Sequence, residues 1–287
     1  MKTQVLVTGA NGQLAKTLRD RYIKNNLALD FLFVSKAELD ITNKAQLKDL
    51  FNHHHFDYCI NCAAYTAVDK AESDNETAYS VNVNGSKYLA EVCQLHQTTL
   101  IHISTDFVFD GTSKFPYKET DTTKPLSVYG ITKLKGEQAI IKNLEKYFII
   151  RTSWLYSEYG HNFMKTMLRL AQEKDQLHVV SDQIGTPTYT GDLIEVIFKL
   201  IISRNENYGI YHFSNSGETN WFDFAKAIFE YSHIKTELKP IPTEAYPTSA
   251  KRPQYSVLDT TKIKSTLDIC IPNWKDTLKV VLSNRLN

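Results

Sequence analysis

Residues 4–15 read Gln4-Val-Leu-Val-Thr8-Gly9-Ala-Asn-Gly12-Gln13-Leu14-Ala15, and this order decides the fold. A short apolar, β-branched run gives way to a glycine-rich turn and then to helix-forming residues through Tyr22. That is strand, turn, helix. Gly9 permits the tight bend, Gly12 lets the backbone approach a pyrophosphate, and Ala15 stands where a third small residue lets the helix pack on the strand. The phosphates of a dinucleotide would rest on the amide end of that helix.

The same alternation continues along the chain. Apolar runs predict strands near 4–8, 31–34, 57–62, 99–104, 147–152 and 210–214. Helical spacing predicts helices near 13–25, 43–52, 75–96, 127–143, 161–174, 190–203 and 221–232. Such alternation implies an α/β fold, a Rossmann-type doubly wound parallel sheet. The pattern loosens beyond residue 155, where Asp182-Gln-Ile-Gly-Thr-Pro-Thr188 and Lys239-Pro-Ile-Pro-Thr-Glu-Ala-Tyr-Pro247 separate short elements. We therefore expect a dinucleotide-binding domain over 1–155, with 190–215 returning to it. A smaller C-terminal substrate-binding lobe takes 156–189 and 216–287.

With 33 Lys and Arg against 32 Asp and Glu, the net charge is +1, without the basic stripe that nucleic acid would need. The most apolar stretch, residues 193–202, is short and interrupted by charges at helical spacing, so it reads as an amphipathic core helix. No signal peptide is read at the N-terminus, and neither nucleic acid nor membrane is expected as a partner. A cytoplasmic protein is the expectation. Cys59 and Cys62 fall in one strand, where residues three apart face opposite ways, so they read as reduced core thiols together with Cys93 and Cys270. His53-His54-His55 lacks further ligands at metal spacing and reads as a solvated loop; no metal site is expected.

The chemistry is concentrated between residues 104 and 133. Ser104-Thr105-Asp106-Phe-Val-Phe-Asp-Gly111 ends the fourth strand, and Tyr129-Gly-Ile-Thr-Lys133 opens a helix on which Tyr and Lys share one face. A free phenol titrates near ~10 and shuttles protons poorly at neutral pH. An ammonium about 4 Å away contributes roughly 4 kcal/mol at an effective dielectric near 20, enough to make Tyr129 a usable general acid. After the second strand, where an NAD-only site places an acidic residue, the chain has Ser35-Lys36, which would not repel a 2′-phosphate. NADPH is favoured, with NADH also allowed. Asp40-Ile41 are placed to cover the adenine.

Together these motifs resemble the extended short-chain dehydrogenase/reductase family, and within it the branch acting on dTDP-linked 4-dehydro-6-deoxy sugars. The resemblance runs nearly end to end. It rests on Val7-Thr-Gly-Ala-Asn-Gly-Gln13, Ala63-Ala-Tyr-Thr-Ala-Val-Asp-Lys-Ala-Glu72, Ser104-Thr-Asp-Phe-Val-Phe109 and Val128-Tyr-Gly-Ile-Thr-Lys133. Further marks are Arg151-Thr-Ser-Trp154, Asn162-Phe-Met-Lys-Thr-Met167, Asp182-Gln-Ile-Gly-Thr-Pro187 and Arg252-Pro253.

The resemblance implies reduction of the C4 ketone of dTDP-4-dehydro-6-deoxy-L-mannose to dTDP-L-rhamnose, the last step of dTDP-rhamnose biosynthesis. Tyr129 would be the proton donor, Thr105 would hydrogen-bond the carbonyl oxygen, and Lys133 would lower the Tyr129 pKa and hold the nicotinamide ribose. Gly9, Gly12, Gln13, Leu14, Asp40, Ile41, Ala64, Tyr65 and Thr66 fall on the family's cofactor contacts. Thr105, Asp106 and Trp154 fall on its sugar contacts. Asp106 as a loop cap and Trp154 as lobe core are the competing readings. Arg252 suits a nucleotide diphosphate, or is a plain surface arginine. Some relatives dimerise through Mg2+ held by glutamates, one of them in the first helix; here Leu14–Arg21 contains no Glu, so no Mg2+ is expected there, and monomer or homodimer stays open. The rival functions are another nucleotide-sugar reductase or epimerase, and a non-catalytic dinucleotide-binding regulatory subunit.

Overall fold

In the computed structural model, which describes residues 2–25 and 28–286, the first half of the chain alternates as its apolar runs predict. It runs β1 (Thr3–Thr8), α1 (Gln13–Asn25), β2 (Leu29–Val34), α2 (Lys44–His53) and β3 (Tyr58–Asn61). Then follow α3 (Val68–Ala71), α4 (Asn75–Tyr79), α5 (Ser86–Leu95), β4 (Thr99–Thr105), α6 (Val128–Asn143) and β5 (Tyr147–Thr152). After β6 (Leu155–Tyr156), α7 (Phe163–Glu173), β7 (Gln176–Val180), β8 (Ile184–Gly185) and β9 (Thr188–Tyr189), the chain returns through α8 (Thr190–Ile202) to β10 (Gly209–His212). It ends with β11 (Thr219–Asn220), α9 (Trp221–Tyr231), β12 (Glu237–Ile241), α10 (Thr261–Leu267) and α11 (Trp274–Leu286).

The six-stranded sheet has the order β10-β5-β4-β3-β1-β2, with every pair parallel. Both faces are covered, which is why the strands read as continuous apolar runs. Within β1, Val5 and Val7 enter one layer with Leu18, Ile197 and Ile263, while Leu6 enters the other with Leu47, Leu89 and Ile140. Cys59 lies in the second layer and Cys62 packs against the first, so the two thiols face opposite sides of the sheet. All four thiols are free, and His53, His54 and His55 are exposed.

The helix expected over 75–96 is interrupted by a π-helical turn at Ser80–Gly85. The wider turn brings Asn82 inward, where its amide bridges the Tyr65 backbone and the Thr132 hydroxyl. Single-sequence periodicity does not reveal this, because the inserted residue shifts the apolar stripe only slightly.

Beyond β5 a second core gathers Tyr156, Met164, Met167, Leu177, Phe224, Ile228, Trp274 and Leu278. Three two-stranded sheets edge it: β7 with β12, β8 with β11, and β6 with β9. Strands of two residues carry no readable alternation. Ile263 and Leu267 of α10 pack on the main sheet beside α8. Among the described residues, no helix is long and apolar enough to cross a membrane.

One buried ion pair ties the layers together beneath the crevice. Arg151 of β5 meets Glu137 of α6 through its Nε at 3.0 Å and Nη2 at 2.7 Å, with side chains only 3% and 1% exposed. Ser104 donates to the same carboxylate, and Arg151 Nη1 faces His212 Nε2 at 3.4 Å. Glu137→Gln leaves the guanidinium buried without a counter-charge, so we expect a loss of roughly 3–5 kcal/mol in urea unfolding; an unchanged midpoint would refute the pair's structural role.

Candidate active site

Between β1 and β3 the strand order reverses, and the carboxyl ends of these strands open the crevice where such sheets bind ligands. Gly9 sits there at φ +67°, and a Cβ on it would lie 2.7 Å from the Ala63 nitrogen. Only glycine lets the two strand ends meet. Gly12 is exposed on the same turn, and no acidic side chain occupies the first turn of α1, leaving its amide end free of a competing carboxylate. That cradle fits a pyrophosphate.

The remaining sequence-predicted cofactor residues are arranged around this turn in different ways. Gln13 reaches the second lobe: its Nε2 donates to Leu155 O, and its Oε1 accepts from Ser157 Oγ and Asn162 Nδ2, each at 3.3 Å. Leu14 is core. Ile41 is buried and packs against Gly85, so its side chain is not offered to a ligand; Asp40 accepts from the Thr42 amide and hydroxyl. Ala64 and Tyr65 are half-buried and Thr66 is exposed. Beside Ser35, the Glu38 carboxylate accepts from the Ser35 amide at 2.7 Å, an acidic neighbour that the Ser35-Lys36 reading omitted.

α6 starts where three contacts fix it. Ser127 caps it by accepting from the Gly130 amide, and the Val128 amide donates to Glu72 Oε1 at 2.8 Å. A Cβ on Gly130 would stand 2.3 Å from the Phe107 carbonyl, so the residue after Tyr129 must be glycine for the helix to touch the Asp106–Val108 turn. Tyr129, Lys133 and Glu137 then follow at helical spacing on one face.

Thr105 and Asp106 converge on Tyr129 from the end of β4. Burial pushes the Tyr129 phenol up to about 12; the Asp106 carboxylate adds to the rise and the Thr105 hydroxyl opposes it. The Lys133 amine donates to the Ile103 carbonyl at 2.7 Å and faces His102 Nε2 at 3.3 Å, and burial brings it down to about 8. The expected lowering of Tyr129 by Lys133 is therefore absent here. Desolvation dominates the phenol, and the amine is drawn to β4. Burial likewise pushes Asp106 up to about 6, against hydrogen bonds from Ser256 and Thr105. Its Oδ1 accepts from Thr105 Oγ1, while Oδ2 lacks a hydrogen-bond partner of normal geometry.

Two further expected substrate residues are held by the protein itself. Trp154, at φ +45°, stacks on Trp221 with centroids 3.6 Å apart and lies over Gly185, whose neighbour Ser256 contacts Asp106. Arg252 grips Asp69 with Nη1 at 3.1 Å and Nη2 at 2.6 Å, and this holds the Asp69 carboxyl below its usual range. Sequence reasoning missed Asn61, Asn82, His102 and Glu137; of these only Glu137, one turn beyond Lys133, left a spacing signal. Among the described residues no group of three His, Cys, Asp or Glu side chains is placed to hold a metal ion.

Residues 1–286 match the family model for the RmlD substrate binding domain. The chain is 46% identical to the dTDP-4-dehydrorhamnose reductase of Aggregatibacter actinomycetemcomitans, over 96% of this chain and 97% of that protein. It is 38% identical to the Escherichia coli enzyme of the same name, over 97% of each. The crystal structure of dTDP-4-dehydrorhamnose reductase from Bacillus anthracis in complex with NADP is 41% identical and superposes with a TM-score of 0.95, covering 99% of this chain and 100% of that one. With the strand order, the Gly9 turn and the meeting of Thr105 with Tyr129 one helical turn before Lys133 already described, these likenesses mean that the chain belongs to the RmlD substrate binding domain family, that of the dTDP-4-dehydrorhamnose reductases.

Proposed function

We propose that this chain reduces the C4 ketone of dTDP-4-dehydro-6-deoxy-L-mannose to dTDP-L-rhamnose with NADPH, NADH serving less well. The observation that carries the reading is the meeting of Thr105 and Asp106 with Tyr129, with Lys133 one turn further along the same helix, in a chain with a glycine-rich turn fit for a dinucleotide and a 41%-identical relative crystallised with NADP. NADPH bound in that crevice supplies the hydride for the ketone carbon. The Gly9–Gly12 turn and the amide end of α1 would take its pyrophosphate; Gln13, Asp40, Ala64, Tyr65 and Thr66 would line the rest of its path, with the core residues Leu14 and Ile41 contributing backbone alone. Four free thiols suit the cytoplasmic setting we infer.

The phenol of Tyr129, raised to about 12 by burial, is protonated at neutral pH and has a proton to give, but it is a weaker acid than a free phenol and needs a cation beside the phenolate to donate readily. It delivers that proton to the oxygen on which charge develops, while the Thr105 hydroxyl donates to the same oxygen. Lys133, one turn along the same face of α6, would hold the nicotinamide ribose hydroxyls. The second lobe forms the sugar side: Asp106 accepts from a sugar hydroxyl through its unpaired oxygen, and Trp154 presents an apolar face. Arg252 has five N–H donors and directs two nitrogens at Asp69, which leaves capacity for a diphosphate oxygen.

Loss of absorbance at 340 nm with NADPH and enzymatically generated dTDP-4-dehydro-L-rhamnose, with product identification, tests the reaction. Oxidation with dTDP-L-rhamnose formed is the expected result; NADPH binding without oxidation would sink it in favour of a regulatory subunit or another sugar nucleotide. Tyr129→Phe is expected to keep NADPH binding and lose about 10²–10⁴-fold in kcat, and full turnover would remove the assigned donor.

Asp106 yields a separate prediction. Its folded-state pKa is raised from 3.8 to about 6, so the fold favours the neutral carboxyl; that contribution is complete below the unfolded value and lost as pH rises through 6. Asp106→Asn should therefore raise stability at pH 8 by up to about 3 kcal/mol and by almost nothing at pH 3, while turnover falls. Equal melting shifts at both pH values would show that the buried charge is not the cause.

A further inference from the structure

Thr8 at the end of β1, Asn61 at the end of β3, His102 in the middle of β4 and Lys133 of α6 form an unbroken polar chain, each no more than 2% exposed. Thr8 Oγ1 donates to Asn61 Oδ1 at 2.7 Å, Asn61 Nδ2 meets His102 Nδ1 at 3.0 Å, and His102 Nε2 meets Lys133 Nζ at 3.3 Å. All four side chains are buried and bonded to one another, so the direction of each bond is constrained by its neighbours.

The Ala63 amide settles that direction. A backbone N–H only donates, and this one points at Asn61 Oδ1 at 3.2 Å, which makes that atom the carbonyl oxygen. The Asn61 NH2 group therefore faces the imidazole and donates to Nδ1. Nδ1 has the lone pair, so the ring proton of neutral His102 lies on Nε2 and points at Lys133. Burial and the neighbouring Lys133 charge keep the ring neutral, holding His102 well below its ordinary range. A neutral amine accepts this Nε2–H with its lone pair while donating to Ile103; an ammonium has no lone pair to offer.

We propose that the Asn61–His102 pair is a positioning device for Lys133: its fixed Nε2–H opposes the ammonium form in the cofactor-free protein and leaves the ammonium only the Ile103 carbonyl as protein acceptor. The remaining N–H groups are thereby reserved for ligand hydroxyls. That these belong to a ribose rests on the reductase reading; the tautomer does not. The only exchange is one proton between solvent and Lys133 Nζ. The other charge acting on Lys133 is Glu137 of α6, which favours the ammonium and is itself paired to Arg151 of β5. Burial prevails, bringing Lys133 down to about 8.

Nitrogen and carbon NMR of isotopically labelled protein without cofactor tests the device independently of turnover. His102 is expected to show an unprotonated Nδ1 and a protonated Nε2, with the Lys133 side chain titrating near pH 8. In His102→Gln, an amide free to turn its oxygen to the ammonium adds no charge, and the Lys133 titration should move up by about tenfold or more in proton affinity. Asn61→Asp still accepts from Thr8 and Ala63, and should transfer the His102 proton to Nδ1. A wild-type His102 protonated on Nδ1, or a folded His102→Gln whose Lys133 titrates unchanged, overturns the proposal. Should a variant fail to fold, the wild-type tautomer decides it. Absence of NADPH oxidation would count against the reductase reading and leave these spectra untouched.

Discussion

The Glu137–Arg151 ion pair is the constraint on which the site depends, because it sets the height of α6 above the sheet. Two full charges buried at 1% and 3% exposure tolerate little displacement, so the helix face they share with Lys133 and Tyr129 is held in register with the ends of β4 and β5. Ser104 ties the carboxylate to β4, and His212 backs the guanidinium from β10. A helix docked by apolar packing alone could slide with modest loss. One docked by a bidentate pair cannot.

Around that rail, segments with chemical-looking sequences turn out to be braces. The Ala63–Glu72 string supplies Tyr65 for the Asn82 bridge, Glu72 for the first amide of α6, and Asp69 for Arg252. It links β3, α6 and the second lobe within ten residues. Gln13 makes the matching link on the other side, from the start of α1 to Leu155, Ser157 and Asn162. Gln13 thus ties the glycine-rich turn before α1 to the segment that follows β5.

How much of this was legible follows from the length scale of each signal. The main-sheet strands and long helices declared themselves because burial on both sheet faces and amphipathic packing write periods of several residues, as in Val5-Leu6-Val7 and 193–202. The Tyr129–Lys133 spacing was equally plain. The two-residue strands of the second lobe, the π-helical turn at Asn82 and the Asn61–His102 contact were not, since each depends on one residue meeting another far along the chain. Arg252 shows the limit from the opposite side: its type suggested an anion, and its position gave it Asp69.

Burial pushes Tyr129, Asp106 and Lys133 toward their neutral forms, raising the first two and lowering the third although the three differ in chemistry. Such a pocket disfavours any isolated charge, including an alkoxide formed from a ketone. Hydride addition alone would create that charge, and on the proposed mechanism the neighbouring phenol would remove it by giving up a proton. The phenolate that results would be equally unwelcome without a cation close by, which explains why a lysine one turn away is kept able to charge within the physiological range. The high resting pKa of Tyr129 and the low one of Lys133 are two consequences of the same desolvation.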